Sequence, residues 1–238
     1  MSEIKALFFD VFGTVVDWRG SVARLGAAMA DEIAAPADLD WTAFADAWRA
    51  EYQPAMAEVR AGRRPFARLD LLHRENLDRI LPRFGLDHVD EAARARMNLF
   101  WHRLDGWPDS VPGLTRLKRR FILATMSNGN TALMVDMAKH AGLPWDCILG
   151  AEPARHYKPD PETYLTGADW LDLPPSACLM VAAHNSDLAA ARAHGLQTAF
   201  IARPREYGPA QSQDLAATEA WTYIADSMTD LADQLGCP

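Results

Sequence analysis

Six short apolar runs constrain this chain more than any other feature. They are Ile4–Phe9, Phe121–Met126, Cys147–Leu149, Ala177–Ala182, Thr198–Ile201 and Trp221–Ile224. Most lack the polar–apolar alternation of a strand with one wet face, which points to strands covered on both sides. Stretches with helical spacing lie between them, including Asn130–Ala141, Pro161–Leu171 and Ser186–His194. Buried strand alternating with helix predicts an α/β fold with a doubly wound, mainly parallel sheet. In such a sheet a ligand binds beyond the carboxyl ends of the strands. The residues that follow each apolar run therefore carry the functional weight.

This rhythm is interrupted between residues 16 and 105. The segment contains no convincing strand and carries helical apolar spacing, as in Trp41, Phe44, Ala45, Trp48 and Tyr52. We read it as a helical cap inserted after the first strand, leaving 1–15 and 106–238 as the α/β core. Gly106-Trp107-Pro108 through Pro112-Gly113 has the turn chemistry of the return. Arg60, Arg63, Arg64 and Arg68 read as a solvated face of the cap. A length of 238 residues suits one core with an insertion.

The net charge of -8 argues against a nucleic-acid surface but leaves room for a small anion in a local cationic pocket. No apolar run approaches the roughly 18 residues of a membrane span, and the first residues lack signal-peptide features. The three cysteines, Cys147, Cys178 and Cys237, form no pairing pattern and suit a reducing cytoplasm. Cys147 and Cys178 open apolar runs and read as small core residues.

Four run ends are polar. The first is Asp10-Val11-Phe12-Gly13-Thr14, the second Ser127-Asn128-Gly129-Asn130, the third Lys158-Pro159-Asp160 and the fourth His184-Asn185-Ser186-Asp187. Any one of them could be an ordinary turn or helix cap. Four in this order, at successive strand ends, are poorly explained by chance. Asp10, on a glycine-containing turn, is placed like a nucleophile.

This order resembles the haloacid dehalogenase superfamily, and within it the L-2-haloacid dehalogenases. The resemblance rests on Asp10 to Thr14 as Asp-x-Phe-Gly-Thr, Trp48-Arg49 early in the cap, and Ser127-Asn128-Gly129. Lys158-Pro159, with Tyr164 six residues after the lysine, completes it. Phosphatases of the superfamily place an acid two residues after the nucleophile and hold magnesium with paired acids in the fourth motif. Those positions are Phe12 and Ala183 here. Asp10 and Asp187 alone make a poor site for a hard cation, so no metal and no cofactor are expected. The fourth motif also departs from the dehalogenases: Ala182 stands for their serine and His184 for their asparagine.

The resemblance implies hydrolysis of a small anionic 2-haloacid, with halide as product. Asp10 would attack the carbon bearing the halogen, and an ester on its side chain would then be hydrolysed. Lys158 would keep Asp10 ionised, and Asp187 would handle the water, with His184 taking a share in place of the missing asparagine. Arg49 and Asn128 would receive the halide. Thr14 and Ser127 suit the substrate carboxylate, Phe12 helps strip the nucleophile of water, and Tyr164 completes the third motif. One inversion would turn an L-2-haloacid into a D-2-hydroxy acid. Phe12 and His184 could make the halide pocket small enough for fluoroacetate. The resemblance also implies a homodimer. Two alternatives stand beside this reading: a metal-dependent phosphatase of the same fold, and a non-catalytic protein that binds a small anion.

Overall fold

The computed structural model describes residues 3–238. The chain opens with strand β1 (Ala6–Phe9) and the short β2 (Val16–Asp17), then runs through five helices. These are α1 (Trp18–Met29), α2 (Trp41–Ala50), α3 (Tyr52–Arg60), α4 (Leu69–Ile80) and α5 (Glu91–Asn98). It returns through β3 (Asp105–Gly106), α6 (Ser110–Leu117), β4 (Ile122–Ser127), α7 (Thr131–Ala141) and β5 (Cys147–Gly150). It ends with α8 (Ala151–Ala154), α9 (Pro161–Trp170), β6 (Cys178–Ala182), α10 (Asn185–Ala193), β7 (Gln197–Ile201), β8 (Tyr223–Ala225) and α11 (Met228–Gln234).

The main sheet has six strands in the order β5-β4-β1-β6-β7-β8, all parallel. This is the doubly wound parallel sheet that the apolar runs predict. The chain builds outward from β1 to β4 and β5, then crosses back to place β6 on the other side of β1. That reversal leaves a crevice above the carboxyl ends of β1, β4 and β6. Alternation along β1 explains why the strand is apolar throughout. Ala6 and Phe8 pack with Met126, Met180 and Phe200 on one face of the sheet. Leu7 and Phe9 join the other cluster, which continues without a break through Trp18, Phe44 and Trp48 into the inserted helices.

The expectation of no strand between 16 and 105 needs correction. Val16–Asp17 pairs antiparallel with Asp105–Gly106, at the two ends of the helical segment. Two-residue strands carry too little apolar pattern to be read from sequence. Strand β8 also begins two residues later than the Trp221–Ile224 run, because the Trp221 indole turns inward to a side-chain partner.

Within the insertion, Asp40 caps α2 by accepting the backbone N–H groups of Thr42 and Ala43. Phe44, Ala45 and Trp48 of α2 then face the core, which sets Arg49 in the last turn beside the sheet crevice. A polar network joins insertion and core. The Asn130 amide donates to Asp70 of α4, and His102 lies between Asp70 and Asp136 of α7. No helix among the described residues is long and apolar enough to cross a membrane.

Phe8 is fully buried at the middle of the sheet. Phe8→Ala is expected to cost about 3–5 kcal/mol of folding free energy, read as a lowered denaturant midpoint. A loss below about 1 kcal/mol would mean that the sheet face can collapse around the cavity.

Candidate active site

Asp10 leaves β1 with its backbone N–H bonded to the Val181 carbonyl of β6, so the strand fixes where its side chain emerges. Three side chains then hold the carboxylate. Lys158 Nζ donates to Oδ1 at 2.8 Å, and Thr14 Oγ1 donates to Oδ2 at 2.7 Å. His184 Nδ1 lies 3.0 Å from the same Oδ2. Burial alone would raise the Asp10 pKa, but the Lys158 charge and the His184 hydrogen bond outweigh it and hold the group far below the usual carboxylate range. Asp10 is an ionised carboxylate in a nearly dry site.

Lys158 also donates to Asp187 Oδ2, so its ammonium bridges two carboxylates. Burial opposes that charge, yet the two anions lift the lysine above its ordinary value. Asp187 sits in the first turn of α10, with Oδ1 accepting the Tyr164 hydroxyl at 2.6 Å. Its pKa is raised, first by burial and then by the nearby Asp10 charge. The two carboxylates share one ammonium but are tuned in opposite directions.

His184 occupies the N-cap position of α10 but makes no side-chain cap bond. Its ring points into the site, with Nδ1 on Asp10 and Nε2 on Glu206 at 2.9 Å. Burial works against the imidazolium, but Glu206 and Asp10 raise the pKa well above the ordinary histidine value. Glu206 is itself buried and accepts the Trp18 indole N–H at 3.0 Å. Its carboxyl fills the space beside Gly13, where a Cβ would lie 2.1 Å from Oε1. Gly13 also has φ +84, so the glycine of the first motif serves both the turn and the approach of Glu206.

A cavity of about 460 Å³ opens above this cluster. Asp10, Lys158, His184 and Asp187 line one end, and Phe12, Arg49, Tyr52 and Tyr207 line another part of it. The Phe12 ring packs edge-on against Tyr52, His73 and Trp101. Burial pushes the His73 pKa down to about 3, so this ring wall is uncharged. The Arg49 guanidinium stacks 4.0 Å from the Tyr52 ring centre, and its buried Nη1 has no hydrogen-bond partner.

The architecture and these strand ends have close counterparts among known proteins. The family model described as haloacid dehalogenase-like hydrolase matches residues 4–195. The chain belongs to this family. It is 29% identical to (S)-2-haloacid dehalogenase 4A of Burkholderia cepacia over 98% of this chain and 100% of that protein. It is 30% identical to an (S)-2-haloacid dehalogenase of Xanthobacter autotrophicus, covering 84% of this chain and 76% of that protein. Among solved structures, an L-2-haloacid dehalogenase superposes with a TM-score of 0.92 at 52% identity, over 98% of this chain and 99% of the other. A defluorinating L-2-haloacid dehalogenase superposes with a TM-score of 0.95 at 50% identity, over 98% and 95% of the two chains.

In this haloacid dehalogenase-like chain, eight of the ten candidate residues line the cavity: Asp10, Phe12, Arg49, Asn128, Lys158, Tyr164, His184 and Asp187. Thr14 and Ser127 lie behind it, fully buried. The Thr14 hydroxyl donates to Asp10 and accepts the Ala183 N–H, while Ser127 Oγ accepts the Gly129 N–H. Both shape the loops beneath a ligand. Asn128 Oδ1 accepts the Lys158 backbone N–H at 2.8 Å, which leaves its Nδ2 as the end available to the cavity. Asp10 and Asp187 already have the Lys158 ammonium between them, and Ala183 offers no side-chain ligand atom, so the cluster is a poor fit for a hard cation. His156, Asp160 and Glu162 bring ligand atoms within 4.8 Å of one another, but none of the three lines the cavity.

Sequence reasoning missed Glu206, Trp18, Tyr52 and Tyr207. For Glu206 a signal existed. It lies past the end of β7, and the strand-end rule applied to the other runs would have covered it. The rings were invisible because nothing in their local sequence separates a cavity wall from core.

The His184 shift has a sign that can be tested. Its folded pKa is raised, so its stabilising contribution is complete below the unfolded value of about 6.5 and is lost as pH rises through the folded value. Above about pH 6.5, until the folded value is reached, the contribution falls by up to about 1.4 kcal/mol per pH unit. His184→Asn is expected to flatten the dependence by that share in denaturant unfolding at each pH. The His102 pKa is also raised, but His102 is present in both proteins and cancels in the difference. Equal slopes would contradict the pairing with Asp10 and Glu206.

Proposed function

We propose that the protein hydrolyses short 2-haloalkanoic acids to 2-hydroxy acids and halide, acting on the L (S) form with inversion. The observation that carries this reading is the pairing of an ionised Asp10 with the Phe12 ring two residues later. An alkoxide leaving group needs a proton, and Phe12 cannot supply one. Halide leaves without a proton, so a nucleophile facing an aromatic wall suits that bond. The haloacid dehalogenase names of the relatives support the same chemistry.

The hydrogen bonds around Asp10 suggest an order of events. Oδ2 is engaged by Thr14 and His184, whereas Oδ1 has Lys158 alone. Oδ1 attacks the carbon bearing the halogen, the carbon–halogen bond breaks, and halide leaves with the bonding pair. The Arg49 guanidinium, which lines the cavity, and Asn128 Nδ2 are the donors placed to receive it. Oδ2 is then the carbonyl oxygen of the ester, and Thr14 and the protonated His184 already point at it. Water adds to that carbonyl, and the two donors stabilise the negative charge that develops on Oδ2. Asp187, whose raised pKa makes it the stronger base, takes the proton of the water. Collapse breaks the bond between the acyl carbon and Oδ1, Asp187 returns its proton to the departing alkoxide oxygen so that the hydroxy acid leaves, and Asp10, regenerated as the acid, loses its remaining proton to solvent and is a carboxylate again. Glu206 keeps His184 charged and oriented throughout.

The same proposal includes a cytoplasmic homodimer, with haloacid as its small-molecule partner and no nucleic acid. All three cysteines are free thiols, which supports a reducing compartment. Sedimentation equilibrium tests the dimer. Fluoroacetate belongs among the substrates to be tried, since a relative at 50% identity is described as defluorinating.

Halide release from chloroacetate and from each enantiomer of 2-chloropropionate, with chelator present, tests the reading. We expect release from chloroacetate and the L form, undiminished by chelator and abolished in Asp10→Asn. Folded protein that releases no halide from any of the three would overturn it.

A further inference from the structure

The connection between β7 and β8, residues 202–222, contains no helix or strand, yet it forms part of the site. It brings Glu206 to His184 and places Tyr207, Gln213 and Asp214 on the cavity wall. An irregular segment of this length loses much conformational entropy when ordered, so something must hold it. Asn185 does. It follows His184 at the start of α10, is buried, and uses both ends of its side-chain amide.

Asn185 Nδ2 donates to Asp214 Oδ1 at 2.8 Å and to the Ala216 carbonyl at 3.0 Å. Oδ1 accepts the Thr218 N–H and the Trp221 indole N–H, each at 2.9 Å. The Asn185 backbone N–H adds a bond to Asp214 Oδ1 at 3.0 Å. Asp214 has φ +52, a left-handed conformation that local hydrogen bonding makes tolerable for aspartate. Gln211 ties the other half of the loop, accepting the Tyr207 N–H and donating to the Gln213 carbonyl. One side chain next to the catalytic cluster thus fixes four residues of the loop.

We propose that Asn185 is a positioning residue that holds the β7–β8 loop as the wall limiting the length of the carboxylic acid the cavity accepts. This rests on the haloacid reading and names which part of that site selects among acids. Asp10 is anchored at a strand end, and Phe12 is locked among packed rings. The Gln213–Asp214 side depends on side-chain hydrogen bonds, chiefly those of Asn185, so it is the side that yields when they are lost. Against a firm wall, one methylene separates substrates by roughly 10–200-fold.

The test exchanges the hydrogen-bond partners. Asn185→Asp keeps the shape and the acceptor but removes the Nδ2 donor and sets a second carboxylate against Asp214. Adding Asp214→Asn restores one donor–acceptor pair between the two positions. kcat/KM is measured for L-2-chloropropionate and L-2-chlorohexanoate in the unsubstituted protein, the single variant and the double variant. We expect the ratio of long to short substrate to rise about tenfold or more in Asn185→Asp and to return most of the way in the double variant. A general loss of stability would lower both substrates together. An identical ratio in all three proteins overturns the proposal.

A parallel titration needs no dehalogenation: dissociation constants for the straight-chain carboxylates from acetate to hexanoate, by calorimetry. The length at which affinity falls should move by at least one carbon in Asn185→Asp and move back in the double variant. If no haloacid reacts but this cut-off moves, the wall stands and the reaction reading fails. An unmoved cut-off, or no carboxylate binding at all, overturns the wall. Should Asn185→Asp not fold, Gln213→Ala removes part of the wall without touching the clamp and must shift the cut-off the same way; no shift overturns the proposal.

Discussion

The Lys158 ammonium, held between Asp10 and Asp187, is the interaction on which the rest of the site depends. Burying three charges costs several kcal/mol per ion unless each is paired and hydrogen-bonded. Here every oxygen of the two carboxylates has a donor: Lys158 and Thr14 with His184 for Asp10, Lys158 and Tyr164 for Asp187. The arrangement requires three strand ends and the start of α9 to converge, which the reversal of strand order at β1 makes possible. The lysine lowers both carboxylates: His184 adds to that effect at Asp10, whereas burial and the Asp10 charge outweigh it at Asp187, which becomes the better base.

His184 and Glu206 extend the same logic outward. The fourth motif keeps its final acid, Asp187, but carries His184 in place of an asparagine, a histidine kept charged by a buried carboxyl. That carboxyl is in turn positioned by the indole of Trp18 from the inserted helices and by the open face of Gly13. The core and the inserted segment are therefore coupled at the nucleophile itself. In the proposed reaction the same hydrogen bonds that hold the resting carboxylate would serve the ester that follows, so no donor has to move between the two chemical steps. On the opposite side, the unpartnered Arg49 donor lies against rings with His73 neutral among them, leaving a cationic spot for a departing anion.

Much of this was legible in the sequence, for a physical reason. Buried parallel strands must be apolar, so Ile4–Phe9 and Ala177–Ala182 declared themselves, and the polar residues after them marked the crevice. Phe12 and Ala183 were informative because a metal-dependent reaction needs acids there. The short β2–β3 pair and Glu206 were not read. Two-residue strands leave no periodic trace, and Glu206, although it follows the apolar run of β7, sits among charged residues that mask an acid until folding buries it. Asn185 stands in the sequence as one of the polar residues of the fourth run end, but its amide bonds reach residues 214–221. Contacts over such separations leave no local pattern.

In the proposed reaction Asp10 itself is esterified and water then attacks its carbonyl. A single turnover of L-2-chloropropionate in heavy-oxygen water, with enzyme in excess, tests this most directly. The label is expected to enter the Asp10 carboxylate, read as the mass of the peptide that contains it, while the hydroxy acid formed in that turnover is unlabelled. Label found in the hydroxy acid alone, with Asp10 unchanged, would mean that water attacks the substrate carbon and that Asp10 is not the nucleophile.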